Sequence, residues 1–255
     1  MFRPNSKDIV ELQLHEFLIY VQAGDFGVGM QLMRQRDYEV NVSRVFRQIL
    51  KPGMHVLDIG ANIGFYTLLA ASRVGAGGIV WAVEPNPANM RLLIASKARN
   101  GFTNVRTIQA AAAKSWDTLA LFEDQSNGAV APIRTNRPEM IRQTVMAVPM
   151  SSVVGQERVD VVKIDVEGFE GIAIQGMLEL IDRCQPKIFT EFTPAALPGM
   201  SGMTGEEYLK ILGDRGYGFH VLSTQGVIPC GTDGGRVMKE FRATGLAHID
   251  LLCEV

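Results

Sequence analysis

The chain has 255 residues, 47% of them hydrophobic, with 25 Lys and Arg against 27 Asp and Glu for a net charge of −2. That is enough apolar material for one large core, and length alone does not call for a second domain. Near-neutral charge with scattered basic residues gives no general attraction to nucleic acid or to an anionic membrane, and no apolar stretch approaches the ~20 residues of a membrane span. The three cysteines, Cys184, Cys230 and Cys253, are far apart and lack C-x-x-C spacing, so they read as reduced thiols of a cytoplasmic protein. The opening MFRPNSKD has no apolar core of a signal peptide, so secretion is not expected.

Residues 1–37 read as an N-terminal extension or flap, in which Leu12 to Val21 is a strand or half of a hairpin ahead of Gly24, Gly27 and Gly29. Val42, Val45, Phe46, Ile49 and Leu50 then fall at helical spacing, and Lys51-Pro52-Gly53 stops that helix. His55 to Ala71, HVLDIGANIGFYTLLAA, is an apolar run ending in Asp58, a turn with Gly60, Asn62 and Gly64, and a stretch of good helix formers that includes Thr67. A strand, a tight glycine turn and a helix start make the arrangement that cradles an adenosine-containing cofactor. A dinucleotide turn has glycine where this chain has Asn62, because the backbone there approaches a pyrophosphate. The Asn62 side chain would crowd a phosphate but can hydrogen-bond an amino acid's polar groups. S-adenosyl-L-methionine has such a head and no phosphate.

Ile79 to Val83 continues as a second strand closing on Glu84 and Pro85, which places a carboxylate to accept both ribose hydroxyls. Nicotinamide enzymes use the same device, and the missing middle glycine separates the two cofactors. Asn86 can cap, and Pro87 begin, a helix running to Arg99. Val105 to Gln109 is the next strand, followed by Ala110 to Ala112, whose small side chains, Ala111 among them, either leave a slot for an adenine ring or simply pack the strand end, and then by a strand at Thr118 to Phe122. Glu123 to Gln143 lacks periodicity and reads as a substrate loop or a long solvated one. Val159 to Asp165 is a strand followed by a helix from the EGFEG segment. A strand at Lys187 to Phe192, a helix from about Gly205 to Arg215, and strands at Tyr217 to Leu222 and His248 to Val255 complete the chain.

Strands alternating with helices predict an α/β fold with a doubly wound, mostly parallel sheet. The last two strands, with no helical pattern between them, read as a C-terminal antiparallel edge hairpin. Ligands of such sheets sit beyond the carboxyl ends of the strands, so Asp58, Glu84, Asp165 with Glu167, and Glu191 are expected to converge on one crevice. Lys163 and Asp165 point to the same side of an extended strand. A buried lysine needs a partner, and Asp165 and Glu191 are its natural ones. That pattern is either a salt bridge tying two strands, with Glu170 favoured by the helix dipole, or a catalytic group in which Asp165 faces the transferred methyl and the incoming nucleophile.

DIGANIGFYT (Asp58 to Thr67), VEPNP (Val83 to Pro87), KIDVEGFE (Lys163 to Glu170), the Glu of PKIFTEF and the Tyr38-Glu39 pair together resemble the FkbM family of S-adenosylmethionine-dependent methyltransferases over Tyr38 to Val255. The resemblance implies a Rossmann-like class I methyltransferase domain over 38–255 and methylation of a hydroxyl on a sugar or secondary metabolite. One segment departs: where the family commonly reads Ala-Leu-Gly/Ser-Asp, this chain has Ala111-Ala112-Ala113-Lys114. The resulting expectation is an enzyme with Asp165, Lys163 and Glu191 as catalytic residues. Asp58, Gly60, Asn62, Gly64, Thr67, Glu84, Pro85, Ala111 and Asp165 would contact the cofactor, with no resident metal. The acceptor would be a small molecule or a peptide. Alternatives are N-methylation of a peptide side-chain amide or amine in natural-product biosynthesis, and a cofactor-binding scaffold without catalysis.

Overall fold

The computed structural model describes residues 9–124, 127–133 and 143–255. Two compact units make up the chain, one of the residues up to Ala111 with Thr118–Met146, the other of Ala112–Asp117 with Ala147–Val255. The opening MFRPNSKD lies outside the described residues.

In the first unit β1 (Ile9–Gln13) and β2 (Leu18–Gln22) form an antiparallel hairpin, which settles the ambiguous Leu12 to Val21 segment. Its buried side chains, Leu12, Ile19 and Val21, alternate with outward ones. The hairpin docks on a later helix: the Asn100 side chain accepts Leu18 N–H at 2.8 Å and donates to Leu18 C=O at 2.7 Å, and Ser96 Oγ accepts Tyr20 N–H at 2.9 Å. After α1 (Val28–Gln35) comes α2 (Val40–Ile49), whose buried Val42, Val45 and Phe46 follow the helical spacing. The segments β3 (His55–Ile59), α3 (Phe65–Val74), β4 (Ile79–Val83), α4 (Pro87–Arg99) and β5 (Val105–Ile108) then alternate, with β3, β4 and β5 parallel. Val56, Leu57, Ile59, Val80 and Ala82 are fully buried, as expected of strands covered on both faces. Asn86 caps α4 by accepting Ala88 N–H at 2.8 Å, with Pro87 in the first turn.

Beyond β6 (Ala111–Ala112), β7 (Asp117–Asp124) pairs antiparallel with β8 (Asn127–Pro132). The segment from Glu123 to Gln143, expected to lack structure, is therefore in part a strand. Residues 125–126 and 134–142 of it lie outside the described residues.

After β9 (Gln143–Val148), the second unit contains α5 (Met150–Val154), β10 (Val161–Ile164), α6 (Glu170–Gln175), α7 (Leu178–Cys184), β11 (Lys187–Phe192), α8 (Leu197–Met200) and α9 (Gly205–Gly213). It ends with β12 (Gly218–Ser223), β13 (Gly226–Gly231), α10 (Gly234–Thr244) and β14 (Ile249–Glu254). β10 and β11 are parallel, β14 lies antiparallel between β11 and β12, and β13 forms the edge hairpin with β12. The edge hairpin thus differs in its members from the expected one. A strand and a helix, β13 and α10, separate β12 from β14, and α10 escaped the pattern because its double-glycine start and short apolar face (buried Val237 and Met238) carry little periodicity. The unit's core is aromatic: Phe189, Phe192, Phe219, Tyr208 and Tyr217 are almost wholly buried. Phe192 stacks on Tyr208 with ring centroids 6.1 Å apart, and truncating such a ring costs about 3–5 kcal/mol.

Candidate active site

The first group of residues lies at the ends of β3 and β4. Gly60 and Ala61 N–H both donate to Val83 C=O, at 2.9 and 3.0 Å, which folds the glycine turn back onto β4. Gly60, Asn62 and Gly64 all have left-handed backbones, with φ of 80°, 50° and 102°. Asparagine tolerates that region better than other side chains, so Asn62 suits the turn on conformational grounds alone. Its Oδ1 accepts Ile63 N–H at 2.8 Å, a local use the sequence did not reveal.

Glu84 is the hub of this group. Its Oε2 accepts Asn62 N–H at 2.9 Å and its Oε1 accepts Asn86 N–H at 2.8 Å. Burial pushes its carboxyl up to about 7, against the pull of those donors and the Asn89 side chain, and the nearby Asp58 charge adds to the rise. Asp58, also buried, accepts the Thr67 hydroxyl at 2.5 Å and so ties α3 to the end of β3. Pro85 follows Glu84 half-buried, and Ala111 is buried in β6.

The second group lies in the other unit, at the ends of β10 and β11. Lys163, 5% exposed, gives its Nζ to Asp165 Oδ2 at 2.7 Å, the expected pairing. Glu191 is anchored differently: its Oε1 accepts the Thr193 hydroxyl at 2.7 Å. Because Ile164 pairs with Thr190, Asp165 and Glu191 follow at neighbouring strand ends. Desolvation, then the charge of Asp165 and those of Glu167 and Glu170, push Glu191 up to about 8. Near neutral pH Glu191 therefore keeps its proton and can donate a hydrogen bond.

Glu170 does more than favour a helix dipole. Its Oε1 accepts Val166 N–H at 3.0 Å and Gly168 N–H at 3.2 Å, closing the loop that carries Asp165 and Glu167. In that loop Glu167 and Gly168 are left-handed, with φ of 54° and 95°. Ser201 braces it by donating to Gly168 C=O at 2.6 Å. Burial raises Glu170 to about 7, and its Oε2 is buried without a hydrogen-bond partner.

Among the described residues no group of three or more His, Cys, Asp or Glu side chains is arranged to hold a metal, and no helix is long and apolar enough to cross a membrane.

The family model described as Methyltransferase FkbM domain matches residues 58–220. Among solved structures, the chain is similar to the methyltransferase FkbM of Methylobacillus flagellatus KT at 14% identity, over 82% of this chain and 50% of that one, with a TM-score of 0.50. That likeness is one of fold, the α/β class I methyltransferase architecture. A stretch of 40 residues is 48% identical to ribosomal RNA large subunit methyltransferase E of Sorangium cellulosum (strain So ce56), covering 16% of this chain and 19% of that protein. The chain thus spans half the length of the FkbM structure and less of the curated relative.

Proposed function

The chain belongs to the FkbM methyltransferase family, and on that premise we propose that it transfers the methyl group of S-adenosylmethionine to a hydroxyl of a sugar or secondary metabolite. The observation that carries the donor assignment is Glu84, a buried carboxylate pinned at a strand end by Asn62 and Asn86 N–H groups. The charge of Asp58, also buried at the turn, disfavours a pyrophosphate and suits a cationic ligand bearing a ribose diol. When bound, S-adenosylmethionine supplies an electrophilic methyl group on a sulfonium.

Asp58, through Thr67, and the turn Gly60 to Gly64 set the backbone against which the donor lies, and Glu84 accepts its ribose hydroxyls. Pro85 and Ala111 line the adenosine. Asp165 accepts the proton of the attacking hydroxyl, a contribution of about 100-fold or more in rate. Lys163 holds the Asp165 carboxylate in one orientation, and protonated Glu191 donates a hydrogen bond that orients the acceptor oxygen. The loop clamp by Glu170 keeps Asp165 in register with that oxygen.

Incubating the protein with isotopically labelled S-adenosylmethionine and host metabolite fractions tests this reading. A hydroxyl compound that gains one labelled methyl supports it. Label found only on nitrogen, or no transfer to any fraction by protein that binds the donor, overturns the hydroxyl assignment.

A further inference from the structure

Glu170, the first residue of α6, divides its carboxyl group between two different surroundings. Oε1 accepts the N–H of Val166, the residue after Asp165, at 3.0 Å and that of Gly168 at 3.2 Å. Oε2 is buried with no hydrogen-bond partner among the described residues, in a side chain only 1% exposed. A buried polar atom without a partner is rare because it forfeits its water for nothing. The titratable groups around it are mostly acids. Asp165 at the end of β10 and Glu191 at the end of β11 both interact with the Glu170 charge, and Glu191 faces Glu167 of the same loop as well. From α9 comes the Tyr208 hydroxyl, 2.8 Å from Thr190 Oγ1, and from β10 the Lys163 ammonium, 2.7 Å from Asp165.

A proton on Oε2 resolves this arrangement. The neutral acid keeps its carbonyl oxygen for the two loop N–H groups and turns an O–H donor toward the carboxyl oxygens around it. An ionised Glu170 instead leaves charge on an oxygen that no donor reaches and that is buried from water. Opening the loop from Asp165 to Gly168 is what hydrates that oxygen. The closed loop is also under backbone strain, since Glu167 and Gly168 are left-handed with φ of 54° and 95°, a region that disfavours the side chain of Glu167.

We propose that Glu170 is a proton-operated latch, which holds the Asp165-bearing loop closed while it carries a proton and releases it on losing that proton. In the open loop the carboxyl has its ordinary value of 4.5, and in the closed loop burial raises it to about 7. The closed form is therefore favoured in full below about pH 4.5 and loses that advantage as pH rises to about 7. The latch is independent of which acceptor is methylated.

Hydrogen exchange of the Val166 and Gly168 amides, followed by NMR on the full chain from about pH 5 to about pH 7.5, tests it, with the amides of β10 (Val161–Ile164) as the internal reference. In the native chain the protection of the two loop amides is expected to fall about 50-fold relative to β10 over that range. Glu170→Gln keeps a carbonyl oxygen for the same N–H groups and cannot ionise, so its relative protection should change by less than about 3-fold. Native protection that is flat or rises with pH overturns the proposal without any variant. So does a Glu170→Gln chain that follows the native fall, which would move the titration to another of the acids. Loop amides that exchange freely in Glu170→Gln at every pH also overturn it, because the carboxylate charge would then be what holds them.

Discussion

Lys163 and Asp165 show what a buried ion pair demands. With Lys163 5% exposed and its ammonium 2.7 Å from the carboxylate, removing one partner strands the other, at a cost of about 3 kcal/mol. Lys163→Met is thus predicted to lower the denaturation midpoint, read by urea titration. Asp165→Asn keeps a hydrogen-bond acceptor for Lys163 yet removes the base, so donor binding should stay within a small factor while methyl transfer falls about 100-fold. Transfer near the native rate in that variant would remove Asp165 from catalysis. The Lys163–Asp165 pairing was legible in the sequence because period-2 alternation puts both on one face. The clamp by Glu170 was not. A carboxylate in the first turn of a helix reads as a dipole effect, and its real partners, Val166 and Gly168 N–H, become available only through the left-handed Glu167 and Gly168 backbones.

At the scale of elements, the glycine turn between β3 and α3 and the Asn86-Pro87 start of α4 were legible because each is fixed by local backbone chemistry. β8, β13 and α10 were missed, since their residues mix glycine, proline and charge, and pairing with a neighbour decides their state. The loop between β10 and α6 is held just as locally. A Cβ on Gly168 would stand 2.8 Å from Ala196 Cβ at a φ of 95°, so Gly168→Ala should both strain the backbone and push α8 away. A loss of about 2–3 kcal/mol in unfolding free energy is expected, and a change under 0.5 kcal/mol would show that the loop has slack. Further on, α9 begins with a capping box, Thr204 Oγ1 accepting Glu207 N–H at 3.1 Å and Glu207 Oε2 accepting Thr204 N–H at 2.7 Å. Thr204→Ala should cost about 1 kcal/mol by the same measurement, with donor affinity unchanged.

Across the molecule's described residues, the buried Glu84 and Glu170 and the half-buried Glu191 share one behaviour. Glu84 and Glu170 are raised to about 7 and Glu191 to about 8, each by desolvation first, from an ordinary value of 4.5. The folded chain therefore holds protons that the unfolded chain has released between about pH 4.5 and pH 8, and stability falls as pH rises through that window. Melting temperatures of the ligand-free protein should drop from pH 5.5 to pH 8.5, and Glu170→Gln should flatten part of the drop. A flat or rising profile would contradict the burial of these groups as charge-free acids. The sequence foretold carboxylates at the strand ends, but their protonation depends on packing it does not encode. The same burial prepares Glu84 to meet a ribose, so the central claim can be read in a single binding experiment. Calorimetric titration of the chain, and of Glu84→Ala, with S-adenosylhomocysteine and with NAD is the most direct test. Saturable binding of S-adenosylhomocysteine, weakened at least about 10-fold in Glu84→Ala, with no heat from NAD, is the predicted result; binding of NAD, or of neither ligand, would contradict it.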